Sequence, residues 1–97
     1  MVREQSPSQQ IRRTRDYRRV VTGLGARIRE LRLAQGLTLE VAAERGGMDL
    51  KHWQKIEAGT LNVTIATLVR IARGLGVEVA DLFSAASSAE REPSRVR

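Results

Sequence analysis

The sequence predicts an all-α fold, in the form of a compact five-helix domain over residues 20–84. Apolar residues recur every three or four positions through most of this segment, which is the period of a helix with one buried face. Glycines separate the predicted helices, and three of the helices begin after Thr38, Asp49 or Thr64, residue types that cap helix N-termini.

Two polar segments flank this domain. Residues 1–19 form a basic arm, whose first eight to ten residues are polar and contain a proline, so we expect disorder there. The segment 10–22 could form a helix, but its apolar residues are sparse, so we expect the arm to be flexible or partly helical and to become ordered only on DNA or against a partner chain. Residues 85–97 are small and polar, which predicts a disordered tail.

Five helices are predicted in order after the arm. They cover residues 23–35, 39–45, 49–57, 65–75 and 77–83. In the first of them, Leu24, Ile28 and Leu31 share one face. Gly46 and Gly47 separate the second helix from the third, because glycine readily adopts the left-handed backbone that ends a helix.

The composition excludes several kinds of functional site. The sequence has no cysteine, which excludes disulfides and thiolate metal sites, and His52 is the only histidine. A glycine-rich phosphate loop and clustered carboxylates are also missing, so no catalytic constellation is visible. We therefore predict that the protein is not an enzyme and binds no metal, cofactor or small molecule.

The hydropathy pattern bears on localisation. No apolar run approaches the roughly 18 residues of a membrane span. The first ten residues lack the apolar core of a signal peptide. We therefore expect a soluble, cytoplasmic protein without a membrane partner.

The net charge of +6 is concentrated near the N-terminus. Residues 20–83 are nearly balanced, with eight basic and seven acidic side chains, whereas five arginines lie within residues 12–19. A basic arm of this kind usually binds a polyanion, of which nucleic acid is the commonest. The arginines predicted to contact DNA phosphates are Arg12, Arg13, Arg15, Arg18 and Arg19.

The predicted helix at residues 49–57 has the chemistry of a helix that reads DNA. Trp53 and Ile56 share an apolar face, and Asp49 caps the N-terminus. A polar front on such a helix suits the major groove, where lysine donates to guanine and glutamine bonds adenine. The predicted base-reading residues are Leu50, Lys51, Gln54 and Lys55.

A set of residues that runs through all five predicted helices carries a resemblance to a known family. These residues are Leu24, Gly25, Ile28, Leu31, Arg32, Gly36, Leu37, Thr38, Ala43, Gly47, Ile56, Glu57, Gly59, Asn62, Leu68, Ile71, Ala72, Leu75, Gly76 and Val77. The pattern resembles the Cro/CI-type (XRE) helix-turn-helix family, to which phage repressors belong. The segment 56–64 also resembles the restriction–modification controller proteins, small dimeric members of that family.

The resemblance implies a lambda-repressor-like bundle that binds double-stranded DNA, usually as a two-fold dimer. Helix 39–45 would lie across the DNA backbone, and helix 49–57 would enter the major groove. Arg32 and Glu57 match a family pair that forms a partly buried salt bridge and would fix the angle of the reading helix. The phosphate-binding positions that the resemblance implies, at the loop and the helix starts, are Thr38, Gly59, Thr60, Asn62 and Thr64.

The chain departs from the family pattern in three respects, one of which is the negative charge of Asp49 at the start of helix 49–57. Leu39 stands where the family usually has a glutamine that bonds a phosphate, which shifts phosphate binding toward the arginine arm. Trp53 stands where isoleucine or valine is common, while Ala42 and Gly46 are smaller than usual. We predict that the buried indole fills the volume given up by these two residues.

These observations predict a sequence-specific transcriptional regulator that binds a pseudo-palindromic DNA site. The alternative is a protein-interaction module, such as the antitoxin of a toxin–antitoxin pair, in which DNA binding is secondary. One reading helix covers only a half-site, so we expect a homodimer. The candidate interface residues, whose other role would be to close the monomer core, are Val79, Leu82 and Phe83.

Overall fold

The computed structural model describes residues 6–84, and this part of the chain contains helices and no strands. The helices are α1 (Pro7–Arg12), α2 (Arg15–Ala34), α3 (Leu39–Arg45), α4 (Leu50–Glu57), α5 (Ile65–Leu75) and a 3₁₀ helix (Val79–Phe83). The prediction of an all-α fold is confirmed, with the last predicted helix in the tighter 3₁₀ form. The predicted tail at residues 85–97 lies outside the described residues.

The described part of the N-terminal arm is helical, which is one of the two states that the sequence leaves open for it. The disorder expected of the first eight to ten residues is not found from Pro7 onward, where α1 begins, and α2 begins at Arg15, ahead of the predicted start at residue 23. Ser6 and Thr14 each accept a hydrogen bond from the backbone N–H three residues on, at 3.2 Å. These two caps satisfy backbone donors locally, so both helices begin without a broad apolar face.

One core is enclosed by α2, α3, α4, α5 and the 3₁₀ helix. Its buried apolar residues are Leu24, Ile28, Ala42, Ala43, Trp53, Ile56, Leu68, Ile71, Ala72, Leu75 and Leu82. Trp53, Ile28, Ile71 and Leu82 are the largest side chains that are fully buried. Because the 3₁₀ helix packs on α2 and α5, Leu82 closes the core at the C-terminal end of the domain.

Two glycines allow the helices to cross closely. A Cβ atom placed on Gly25 of α2 would lie 2.5 Å from the carbonyl oxygens of both Ile56 and Glu57, at the end of α4. A Cβ on Gly74 of α5 would lie 2.9 Å from the backbone nitrogen of Gly46, at the end of α3. The positions of α3 and α4 therefore depend on backbone contacts that only glycine permits.

Candidate nucleic-acid interface

The polar face of α4 is open to solvent. Lys51, Gln54 and Lys55 are exposed and Leu50 is half-buried, whereas Trp53 and Ile56 lie in the core. The four predicted base-reading side chains therefore share one accessible side of the helix. Asp49 Oδ1 accepts a hydrogen bond from the backbone N–H of His52 at 3.1 Å, which caps the helix at the end that would enter the groove first.

Arg32, Glu57 and Trp53 form a buried polar network that fastens α4 to α2. Arg32 Nε and Nη2 donate to the two carboxylate oxygens of Glu57 at 2.7 and 3.1 Å. Trp53 Nε1 donates to Glu57 Oε2 at 2.6 Å. The side chains of Arg32 and Glu57 are each 8% exposed. The hydrogen bonds that Arg32 donates to the Glu57 carboxylate raise the pKa of Arg32 above its ordinary value, so the guanidinium stays charged.

The network reaches α3 as well, because Arg32 Nη1 donates to the carbonyl oxygen of Leu37 at 2.9 Å, just before α3 begins. The pairing of Arg32 with Glu57 is the one that the resemblance implies. The bond from Trp53 to Glu57 is absent from the sequence-based prediction. Its signal is the i, i+4 spacing of an indole donor and a carboxylate on one helix.

Trp53 occupies space left by small residues on and after α3. The indole is 0% exposed, and a Cβ on Gly46 would lie 2.9 Å from its Cζ3 atom. Ala42 is buried in the same core. Because Gly46 has no side chain, there is space for the indole beside it. The predicted compensation, in which the large Trp53 fills volume left by Ala42 and Gly46, requires this space.

A second arginine fixes the turn between α3 and α4. Arg70 of α5 donates from Nε to the carbonyl oxygen of Gly46 at 3.2 Å, and its Nη2 donates to that of Gly47. These carbonyls lie at the C-terminal end of α3, where a cation is favourable. This contact was not predicted, and no short-range pattern could have revealed it, because the partners are more than twenty residues apart.

Two backbone amides of the predicted phosphate-binding loop already donate hydrogen bonds within the chain. The backbone N–H groups of Gly59 and Thr60 donate to the carbonyl oxygens of Ile56 and Lys55 at 3.1 Å each. Those two amides therefore cannot serve a phosphate, which corrects the role that the resemblance implies for them. The exposed side chains of Thr60 and Asn62 remain accessible in this loop.

Two of the three predicted phosphate-binding threonines act as helix caps. Thr38 Oγ1 accepts a hydrogen bond from the backbone N–H of Val41, and Thr64 Oγ1 accepts one from that of Thr67, at 3.1 Å each. Their hydroxyls therefore satisfy donors of α3 and α5. Both threonines are exposed, so the first turns of these helices are accessible to an anion.

The arginine cluster lies on two helices. All five of its arginines are exposed, and within residues 6–84 none of them forms an ion pair. Arg12 ends α1 and Arg13 caps it, while the other three arginines lie in the first turns of α2. Arg18 Nη1 donates to the carbonyl oxygen of Arg13 at 2.9 Å, which joins the start of α2 to the end of α1.

The three interface candidates have different environments. Leu82 is 0% exposed and belongs to the monomer core, so its prediction as an interface residue is wrong. Val79 is half-buried and packs against the core. Phe83 is 53% exposed and borders an apolar groove between the 3₁₀ helix and α2, which Val20 and Arg27 also line.

Two kinds of feature are absent from the described residues, 6–84. None of the helices in this part is long and apolar enough to cross a bilayer. The same residues contain no group of three or more histidine, aspartate or glutamate side chains that could hold a metal ion.

The sequence profile of a family described as "Helix-turn-helix domain" matches residues 23–84. The chain is 34% identical over 69 residues to an uncharacterized HTH-type transcriptional regulator, y4dJ, of Sinorhizobium fredii; the match covers 71% of this chain and 86% of that protein. It is 39% identical over 67 residues to a propionyl-CoA carboxylase regulator of Cereibacter sphaeroides. That match covers 69% of this chain but only 14% of the longer relative.

A solved structure gives a similar result. The restriction-modification controller protein C.AhdI from Aeromonas hydrophila superposes with a TM-score of 0.67 at 34% sequence identity. The superposition covers 70% of this chain and 99% of the controller. The match therefore includes nearly the whole of that protein.

Proposed function

This chain belongs to the helix-turn-helix domain family, and we propose that it is a sequence-specific transcriptional regulator that binds double-stranded DNA. The observation that carries the proposal is the exposed polar face of α4, a helix that the buried Arg32–Glu57 pair holds against α2. A reading helix must present its side chains at a fixed angle, and a buried pair supplies that rigidity.

The side chains on α4 suit the edges of bases in the major groove. Lys51 and Lys55 donate to guanine O6 or N7, Gln54 bonds adenine, and Leu50 contacts a thymine methyl group. With eight residues, α4 is about 12 Å long and reads one half-site. A two-fold dimer places a second α4 about one DNA turn away, roughly 34 Å, on a pseudo-palindromic operator.

The alanine variant of Lys51 tests the reading role. The wild-type protein is first used to select duplexes from a random-sequence pool, and its preference is the ratio of its affinities for selected and scrambled duplexes. We expect this ratio to fall about tenfold in Lys51→Ala, because a lysine–guanine contact is removed. Fluorescence anisotropy at two salt concentrations measures both affinities. Arg73→Ala removes the same charge from the exposed last turn of α5 and should leave the preference unchanged. Equal preference in wild type and Lys51→Ala would refute the assignment.

The dimer is expected to form through the groove beside Phe83. A phenylalanine that is 53% exposed, next to the 55% exposed Val20, gives each protomer an apolar surface that a second copy can cover. The same groove carries a positive and a negative side chain, Arg27 and Glu30, which pair at 2.8 Å. Across a two-fold axis, each of these charges can face the opposite charge of the second copy.

The aspartate variant of Phe83 tests this interface. We expect the wild-type chain to sediment as a dimer and Phe83→Asp to sediment as a monomer at the same concentration, because a buried unpaired carboxylate is unfavourable. Leu33→Asp is the control, since Leu33 is 52% exposed elsewhere on α2. A dimer that survives in Phe83→Asp, or is lost only in Leu33→Asp, would place the interface on another face.

A further inference from the structure

We propose that Arg15 and Arg18, on the N-terminal extension of α2, bind the phosphate backbone of the same DNA molecule beyond the C-terminal end of α4. The inference rests on the proposed function and specifies which arginines bind the backbone and where. In the sequence the five arginines form one arm, whereas the structure separates them.

The position of the extension follows from one contact. A Cβ on Gly59, at the start of the loop after α4, would lie 2.9 Å from the Cα of Thr22 in α2. Thr22 therefore lies directly against the loop that follows the reading helix. Because α2 is continuous from Arg15 to Ala34, the residues that precede Thr22 extend from this point as a rigid helix.

Helical periodicity then selects the arginines. Arg15 and Arg18 precede Thr22 by seven and four residues, so all three lie on one side of α2, the side that meets the loop. Arg15 is about 10 Å from Thr22 along the helix axis. Arg19 instead lines the groove beside Phe83, so the proposal does not include it.

The charges on this side are available to a polyanion. Arg15 and Arg18 are exposed, and neither pairs with a carboxylate within residues 6–84. Arg18 Nη1 bonds the carbonyl oxygen of Arg13 at 2.9 Å, which orients the guanidinium while its other N–H groups stay accessible. A side chain on a folded helix loses less conformational freedom on binding than one on a flexible arm, so these contacts have a smaller entropic cost.

The proposed surface consists of four basic side chains. Two of them, Lys51 and Lys55, lie on α4, and beyond the contact of Gly59 with Thr22 the other two, Arg18 and Arg15, lie on α2. Its two ends serve different purposes, because contacts to base edges carry sequence information and contacts to phosphates carry affinity. Bound DNA would thus be read by α4 and held by α2.

The first test is the salt dependence of binding to duplexes selected from a random-sequence pool. In Arg15→Ala and Arg18→Ala, the slope of log K against log salt should become shallower by about 0.9 for each phosphate that is no longer neutralised. The preference for selected over scrambled duplexes should stay at the wild-type value. Arg73→Ala, which removes the same charge, should keep the wild-type slope, and far-UV circular dichroism verifies that each variant is folded.

Failures of the two proposals give different results. If the slopes of Arg15→Ala and Arg18→Ala equal that of Arg73→Ala while Lys51→Ala still loses preference, the present inference is overturned and the proposed function stands. If the wild-type chain binds every duplex alike, the proposed function fails, and the inference about Arg15 and Arg18 fails with it.

The second test locates the contact. Because the chain has no cysteine, Asp16→Cys next to Arg15 and His52→Cys next to Lys51 each provide a unique attachment point for an iron–EDTA cleavage reagent. Cleavage from position 52 should fall within the selected half-site. Cleavage from position 16 should fall on the flank of that half-site, outside the base pairs cut from position 52. Overlapping cleavage patterns, or none from position 16, would overturn the proposed placement.

Discussion

Replacing Glu57 with alanine is expected to lower the free energy of unfolding by about 3–5 kcal/mol, enough to unfold much of a small domain. The substitution leaves the guanidinium of Arg32, in a side chain that is only 8% exposed, without its carboxylate. It also removes the acceptor of Trp53 Nε1, a donor in a fully buried side chain. A buried charge without its counter-ion and a buried donor without its acceptor are costly, because water does not reach them to take the place of the carboxylate.

Urea unfolding followed by circular dichroism measures this destabilisation. The control is Glu30→Ala, because Glu30 pairs with Arg27 at 2.8 Å but its side chain is 42% exposed. An exposed pair of this kind contributes about 0–1 kcal/mol. Changing both Arg32 and Glu57 to methionine should recover part of the stability, since no unpaired charge remains. If Glu57→Ala costs no more than Glu30→Ala, the network does not anchor α4.

The network also explains how a helix as short as α4 keeps a fixed position. With only eight residues, α4 is too short to be stable in isolation, so its geometry comes from packing. Trp53 contributes to that packing on two sides, because its ring fills the space beside Gly46 and its N–H bonds Glu57. A phenylalanine at this position would retain part of the packing but would lose the bond.

The sequence predicts those parts of the fold whose signals are local. The caps at Thr38, Asp49 and Thr64 are readable because a cap and its helix are neighbours in the sequence. The prediction leaves the helicity of residues 10–22 open, because it rests on the sparse apolar residues there and gives too little weight to the cap at Thr14. Tertiary contacts have no such signal, and the bonds from Arg70 to the turn after α3 are an example.

In the candidate site, too, the sequence predicts the features that depend on neighbouring residues. The exposed face of α4 follows from helical periodicity, since an apolar back fixes the direction of the front. The amides of Gly59 and Thr60 close the C-terminal end of α4 on the carbonyl oxygens of Ile56 and Lys55. Gly59 is a local signal for such a cap, and the prediction of phosphate binding did not take it into account. The proposal that Arg15 and Arg18, but not Arg19, bind phosphates depends on the contact between Thr22 and Gly59. The sequence does not predict this contact, because the two residues are far apart in the chain.

Replacing Gly25 with alanine is expected to destabilise the domain by about 3 kcal/mol, although alanine favours a helix by roughly 1 kcal/mol over glycine. The new methyl group would lie 2.5 Å from the carbonyl oxygens of Ile56 and Glu57. Both are backbone atoms that cannot rotate away, so α2 and α4 must move apart. The movement would stretch the bonds between Arg32 and Glu57, which cross the same interface.

The matched control lies two residues earlier in the same helix. A Cβ on Gly23 would meet nothing within 4 Å, so Gly23→Ala should stabilise the domain by about 0.5–1 kcal/mol through helix propensity and a less flexible unfolded chain. Thermal unfolding of the two variants should therefore give shifts of opposite sign. Two shifts in the same direction would mean that α2 does not approach α4 through Gly25. The close approach of the two helices would then not set the angle of α4, whatever the DNA-binding data show.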